Sequence, residues 1–370
     1  MHLGMVKSLL NKHLILLLFL WTGIRAQSLV SYQAEADYGF LFLHSQDVAP
    51  IGQSYPLALG LSVQKWLLNE QSWDNCHCYP RYGLSFGAHY YDNPEVIGWG
   101  FPVYGFLEPW YRIKGDWYFN LRAAAGLIYL SRPYDPVENP LNLSYSLPVS
   151  AYLSVGLGLA YSISPQWRLS LQGRYNHTSN GGIREPNKGL NYPTMSLGLD
   201  YSLKGIELES QQKLPFNPAK RRKVLSMHGF LAAKSGGRIG TGANEQDVTY
   251  LVSGAAVRYS YQLSRSSAVL LETEWIRNLA YRRQIERSGG DESHHQWGLE
   301  LGHEFLLGKF TFSQAAGFYL FKEFGAEANW YQRYTLLYRP WPQLAMGPGL
   351  KAHANVAEFL DFRIVWELPQ

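Results

Sequence analysis

The fourteen residues from Trp167 to Asn180 read as one strand with two unlike faces. Trp167, Leu169, Leu171, Gly173, Tyr175, His177 and Ser179 fall on one face. Arg168, Ser170, Gln172, Arg174, Asn176, Thr178 and Asn180 fall on the other. A period of two belongs to a strand, because successive side chains point to opposite sides of the backbone. The pattern recurs along the chain. In Asp116–Tyr129, Trp117, Phe119, Leu121, Leu127 and Tyr129 oppose Asn120 and Arg122. Trp297, Leu299, Leu301 and Phe305 oppose Glu300 and Glu304. Near the end, Phe362, Ile364, Trp366 and Leu368 oppose Asp361, Arg363 and Glu367. We count about sixteen such segments, each near the length of a tilted membrane strand.

Composition says which medium covers the apolar face. The 370 residues include 12 Trp, 26 Tyr and 17 Phe, yet mean hydropathy is slightly negative. Many aromatics with a polar alternate face are expected of a transmembrane antiparallel β-barrel, apolar toward lipid and belted by aromatics at both interfaces. Met1 to Ala26 reads as a secretory signal peptide. Lys7 and Lys12 precede the apolar run Leu14–Trp21, and Ile-Arg-Ala closes the segment. The run is too short to span a bilayer as a helix. A net charge of +4 is too small to point to nucleic acid. The basic run Lys220–Lys223 reads as a turn beside the membrane.

The connections alternate in length. Short ones fall at Ile113–Asp116, Ser162–Gln166, Leu263–Ser267, Leu306–Lys309 and Arg339–Pro342. Longer ones fall at His44–Ser54, Ser131–Asn142, Asn180–Asn191, Lys234–Asp247 and Arg282–His294. Outer-membrane barrels have short periplasmic turns and longer outer loops, so the strand that carries His177 is expected to run outward. Two connections on the short side are long: Asn69–Tyr79, with both cysteines, and Lys204–Lys223, which halves the chain. The expected organisation is a signal peptide at 1–26, a catalytic barrel half at 27–203, a periplasmic linker at 204–222 and a C-terminal half at 223–370. One closed barrel of about fourteen to sixteen strands removes every free edge at once and is preferred. The alternative is an eight-stranded barrel beside a second β unit.

His177 and Ser179 stand side by side on the lipid face, followed by Asn180, Gly181 and Gly182. This His-x-Ser-Asn-Gly stretch, with Pro186-Asn187-Lys188-Gly189 and a new strand after it, resembles the lipid A 3-O-deacylases, PagL-like outer-membrane acyloxyacyl hydrolases. The resemblance runs over about Ser28 to Leu203. The segments Asp92–Glu95, Tyr104–Pro109 and Asn139–Asn142 look like longer members of Bacteroidetes type. It implies ester hydrolysis on lipid A in the outer leaflet of a bacterial outer membrane, without a cofactor or metal. Ser179 would be the nucleophile and His177 its general base. Asn180 and the Gly182 N–H would receive the oxyanion. These types suit acyl transfer: a hydroxyl needs a base to take its proton, and fixed donors stabilise the developing charge. Gly181 and Gly182 would let the backbone approach a bulky lipid.

The third member departs from the family. The deacylases carry a glutamate twelve residues after the serine, and here that residue is Asn191. It has outward parity on the next strand, and an amide can orient an imidazole without charge. Glu185 is the acid in the loop, at the wrong spacing, and serves as a backup. An asparagine at that spacing also resembles the outer-membrane phospholipases A, which makes a Ser-His-Asn phospholipase the alternative reading. A non-catalytic barrel, structural or porin-like, is the second. Cys76 and Cys78 can pair locally but do not complete a metal site. His294 and His295, after Asp291 and Glu292, read as a solvated loop.

Overall fold

The structure is a computed structural model that describes residues 29–43, 45–209, 211–213, 215–239, 246–354 and 356–368. The expected signal peptide at 1–26 and His44 lie outside the described residues. Sixteen antiparallel strands follow one another. The first eight are β1 (Leu29–Gly39), β2 (Leu57–Trp66), β3 (Tyr79–Tyr90), β4 (Trp99–Lys114), β5 (Trp117–Leu130), β6 (Val149–Ser162), β7 (Trp167–Ser179) and β8 (Leu190–Tyr201). The others are β9 (Lys223–Ile239), β10 (Gln246–Ser264), β11 (Ser267–Asn278), β12 (His295–Leu307), β13 (Phe310–Lys322), β14 (Trp330–Trp341), β15 (Leu344–His353) and β16 (Val356–Glu367).

The strands close into two barrels, β1–β8 and β9–β16, rather than the single barrel expected. Strand β8 returns to β1, with Leu197 opposite Ala36. Strand β9 pairs with β10 and β16. Two closed barrels remove free edges as well as one does. What decides is that β8 meets β1 and not β9, leaving the segment from Ser202 to Arg222 as a connection.

An eight-stranded barrel has an interior that side chains can fill, and here ion pairs fill both. In the first, Arg174 meets Glu35 at 2.7 Å, Arg81 meets Glu108 at 2.8 Å and Asp200 at 3.0 Å, and Arg168 meets Asp200 at 3.1 Å. In the second, Arg333 meets Glu274 and Asp361 at 2.5 Å each, and Arg363 meets Glu272 at 3.1 Å and Glu274 at 2.9 Å. These inward side chains are the polar positions of the alternating pattern. They form a packed core in each barrel, which weighs against a porin. Breaking a buried pair leaves an uncompensated charge. Arg333→Ala takes one of two guanidinium partners from both Glu274 and Asp361, leaving Arg363 to serve the pair, and should cost about 3 kcal/mol, the low end for a broken buried pair. A lowered urea midpoint for the folded barrel, followed by gel mobility, is the expected result. An unchanged midpoint would mean that the pairs do not support the lumen.

The opposite face is apolar and open. Leu59, Leu157, Leu197 and Leu301 are 63, 59, 53 and 68 % exposed. On a membrane barrel that exposure is to acyl chains. Among the described residues no helix is long and apolar enough to cross a membrane.

Four of the five short turns fall where expected, between β4 and β5, β6 and β7, β10 and β11, and β12 and β13, while the fifth comes later than expected, at 342–343, because β14 runs on to Trp341. The long connection after β2 holds helix α1 (Glu70–Cys76), capped by the Asn69 Oδ1 that accepts from Ser72 N–H at 2.8 Å. Cys76 and Cys78 form a disulfide just after it. The segment expected as a loop at Arg282–His294 is partly helix, α2 (Leu279–Ser288). The loop expected at Lys234–Asp247 is shorter, because β9 continues to Ile239 and β10 starts at Gln246.

Candidate active site

The site lies at the long-loop end of β7 and β8, on the outer face of the first barrel. Pairing sets His177 directly opposite Asn191. Outward parity on both strands turns the two side chains to the same face, and His177 Nδ1 lies 2.6 Å from Asn191 Oδ1. Two residues along β7, Ser179 Oγ lies 3.1 Å from His177 Nε2. With the Asn191 carbonyl oxygen as acceptor, Nδ1 carries the proton and donates it. Nε2 is then the lone-pair nitrogen, placed to accept from the serine hydroxyl. A tautomer fixed by the amide is what a base for Ser179 requires.

Ser179 is 4 % exposed although its parity is outward. The backbone at Gly189 passes over the pair. A Cβ there would stand 3.1 Å from His177 Cε1 and 3.6 Å from Ser179 Cβ, and φ is +78°. Gly189 is therefore a part of the site that the spacing rules did not single out. The loop from Asn180 to Gly189 is held at its far side by Lys188 Nζ, 2.9 Å from Asp47 Oδ2. That pairing holds the exposed Asp47 carboxyl below its usual range, chiefly through the hydrogen bond from Lys188.

The two expected oxyanion donors already have partners in the structure. Asn180 Nδ2 donates to Arg184 O at 2.7 Å and to Ser146 Oγ at 3.2 Å. Gly182 N–H donates to Asn180 Oδ1 at 3.1 Å. The Asn180 N–H is held by Asn187 Oδ1 at 2.9 Å. Gly181 N–H stands nearest the nucleophile in hydrogen-bond terms, 3.4 Å from Ser179 Oγ. Gly181 and Gly182 adopt φ of +67° and +79°. What they approach closely in the structure is the second barrel, at Leu360 and Glu358.

Glu185 is not the partner of His177 Nδ1. That position is taken by Asn191, and the Glu185 carboxylate accepts from Asn187 N–H at 3.0 Å. Elsewhere, the carboxylates of Glu272, Glu274 and Glu300 come together inside the second barrel. Arg258, Arg333 and Arg363 pair with them, so the cluster belongs to the ionic core. His294 and His295 pack ring against ring at 4.3 Å.

Serine, imidazole and amide in hydrogen-bonded sequence at the rim of a membrane barrel are groups of the kind that ester hydrolysis requires. The chain belongs to the lipid A 3-O-deacylase (PagL) family. That family's model matches residues 57–200, and a second model, the acyloxyacyl hydrolase C-terminal domain, matches residues 225–370. Together they place the chain among outer-membrane lipid A deacylases. No curated protein matches the sequence. Among solved structures, the outer-membrane enzyme PagL is 17 % identical, with a TM-score of 0.29, over 45 % of this chain and 97 % of that one. The Neisserial surface protein NspA is 13 % identical, with a TM-score of 0.34, over 47 % of this chain and 97 % of that one. These two likenesses do not bear on function.

Proposed function

We propose that this protein removes an ester-linked acyl chain from lipid A with Ser179 as nucleophile, His177 as general base and Asn191 as the residue that orients the imidazole. The observation that carries this reading is the unbroken relay from Asn191 Oδ1 through His177 to Ser179 Oγ, at 2.6 and 3.1 Å, on a lipid-facing wall. Ser179 Oγ attacks the ester carbonyl while its proton passes to His177 Nε2. The tetrahedral oxyanion is met by the Gly181 N–H, the backbone donor nearest Ser179 Oγ. Collapse expels the sugar hydroxyl, which takes the proton from His177, and leaves an acyl-serine. Water, deprotonated by the same nitrogen, then releases the fatty acid.

The wall beneath the site suits the chain that is removed. Tyr175 pairs with Pro193 one rung below, then Gly173 with Met195, then Leu171 with Leu197. A Cβ on Gly173 would meet only Met195 Sδ, at 3.9 Å, so the wall has a dent there. An acyl chain laid along β7 and β8 would fill it, with its ester carbonyl at Ser179. The site then faces the outer leaflet, since the long loops surround it and the short turns are at the other end.

Asn191 in place of a glutamate favours the phospholipase reading at one residue. Mass spectrometry of lipid A and of a diacyl phospholipid, each incubated with the purified protein in detergent, separates the two. Loss of one acyl chain from lipid A, with the phospholipid cleaved at least about tenfold more slowly, is expected; each tenfold is about 1.4 kcal/mol of discrimination. The reverse preference would make the protein a phospholipase, and intact lipids in both arms would remove the enzymatic reading.

A further inference from the structure

The seam that closes the second barrel is paired over only part of its length. Strand β9 is 17 residues long. Strand β16 pairs with it only from Glu367 opposite Ser226 to Asp361 opposite Ala232. Beyond Ala232, β9 goes on beside β10, with Ser235 opposite Thr249, while β16 goes on beside β15, with Leu360 opposite Leu350. A notch separates the two strands at the long-loop end. An uncovered strand edge presents unpaired N–H and C=O groups, which are costly away from water.

The loop that follows Ser179 fills this notch. Ser235 N–H donates to Gly182 O at 2.7 Å. Thr249 Oγ1, on the cross-strand partner of Ser235, donates to Ile183 O at 2.9 Å. On the other lip, a Cβ on Gly181 would stand 2.8 Å from Leu360 Cβ, and one on Gly182 would stand 2.9 Å from Glu358 O. Lys234 Nζ ties the lips together by donating to Glu358 O at 3.2 Å. Tyr281 of α2 donates to the Glu358 carboxylate at 2.8 Å.

We propose that the C-terminal barrel is the positioning element for the oxyanion loop: Ser235 on its partly paired β9–β16 seam and Thr249 beside it on β10 hold the Gly182 and Ile183 carbonyls, and so set where the Gly181 N–H stands beside Ser179. This rests on the reading of Ser179 as the nucleophile. Two consecutive glycines at positive φ are a loose tether, because glycine has the most conformational freedom to lose. Donors to an oxyanion work by being fixed before the charge develops. β7 fixes one end of the tether at Ser179, and the seam fixes the other at Gly182 and Ile183. Ser235 and Thr249 are thus positioning residues that act through the loop without touching the reacting atoms. The arrangement also gives the second barrel a task that its ion-paired lumen does not suggest.

Full-length variants test this. Thr249→Val deletes the hydroxyl and keeps the shape, Thr249→Ser keeps the donor, and Ser235→Pro deletes the N–H on the seam side. The readouts are kcat and KM for lipid A in detergent micelles, and the rate at which a fluorophosphonate labels Ser179. The expected result is a fall of about fivefold in both kcat and labelling rate for Thr249→Val, the worth of one hydrogen bond. KM should not change, Thr249→Ser should restore the rate, and Ser235→Pro should fall further. Wild-type kcat in folded Thr249→Val and Ser235→Pro overturns the proposal. So does a rise in KM at constant kcat, which would make the seam a substrate contact. If Ser235→Pro does not fold, the Thr249 pair decides. Failure of the underlying reading looks different: Ser179→Ala would then keep the wild-type rate, and the fluorophosphonate would not label wild-type protein.

Discussion

Ser179→Ala is expected to cut ester release from lipid A by about ten-thousandfold or more while the barrel stays folded. The magnitude follows from the relay's cooperation. A serine, its base and the base's partner act as one unit, so loss of the nucleophile alone forfeits nearly all that the unit supplies. The side chain is small and its Oγ is the only atom removed. Its bonds to His177 Nε2 and from Gly181 N–H involve catalytic groups and the turn, not the lumen that supports the fold. The hydrogen bond between His177 and Asn191 does not depend on Ser179 and should persist. The measurement is turnover on lipid A beside a folding control by gel mobility. A folded variant with wild-type turnover would move the nucleophile elsewhere and dissolve the mechanism. A folded variant with none would leave the binding wall of β7 and β8 intact for capture of uncleaved substrate.

What the sequence made legible was local. The parity of Trp167 to Ser179 follows from a period of two, and counting twelve residues on from Ser179 reaches a position of the same parity on the next strand. The pairing of His177 with Asn191 turns that parity into contact. The short turns were equally plain, since a tight connection must lie between two strand ends. Closure was not legible. Whether β8 meets β1 or β9 is a long-range pairing decision, and each choice leaves the alternation of every strand unchanged. Helix α2 was hidden for another reason: Leu279–Ser288 is short, strongly charged and follows a strand, so its polar residues resemble a loop. The freedom of the two glycines is legible, but their neighbour in the second barrel is not. Only the fold brings Leu360 and Glu358 to Gly181 and Gly182. Nothing in the spacing of Ser235 or Thr249 marks them as belonging to a site more than fifty residues earlier in the chain.

Asn191 carries the sharpest test of how the relay works. Asn191→Ala removes the acceptor of the Nδ1 proton, and the imidazole then loses both its preferred tautomer and its fixed plane. Removal of an orienting group of this kind costs about a hundredfold or more in turnover. Glu185→Ala, whose carboxylate caps Asn187 N–H instead of the imidazole, should change turnover by only a few-fold through the loop. Asn191→Glu restores the residue that the family carries at this spacing. Its carboxylate can accept the same proton and also stabilise the imidazolium that forms as Ser179 attacks, so turnover at neutral pH should equal or exceed that of the wild type. The gain should shrink at mildly acidic pH. Asn191 is buried at the edge of a lipid-facing wall, and a carboxyl placed there is pushed toward its neutral form by desolvation. A protonated glutamate supplies no negative charge and orients the ring no better than the amide does. Rates of acyl release for the three variants between mildly acidic and neutral pH check the whole scheme. Full activity in Asn191→Ala with loss in Glu185→Ala would transfer the orienting role to Glu185. A neutral-pH rate for Asn191→Glu well below that of Asn191 would show that the site is built for an uncharged partner, which would favour the phospholipase reading.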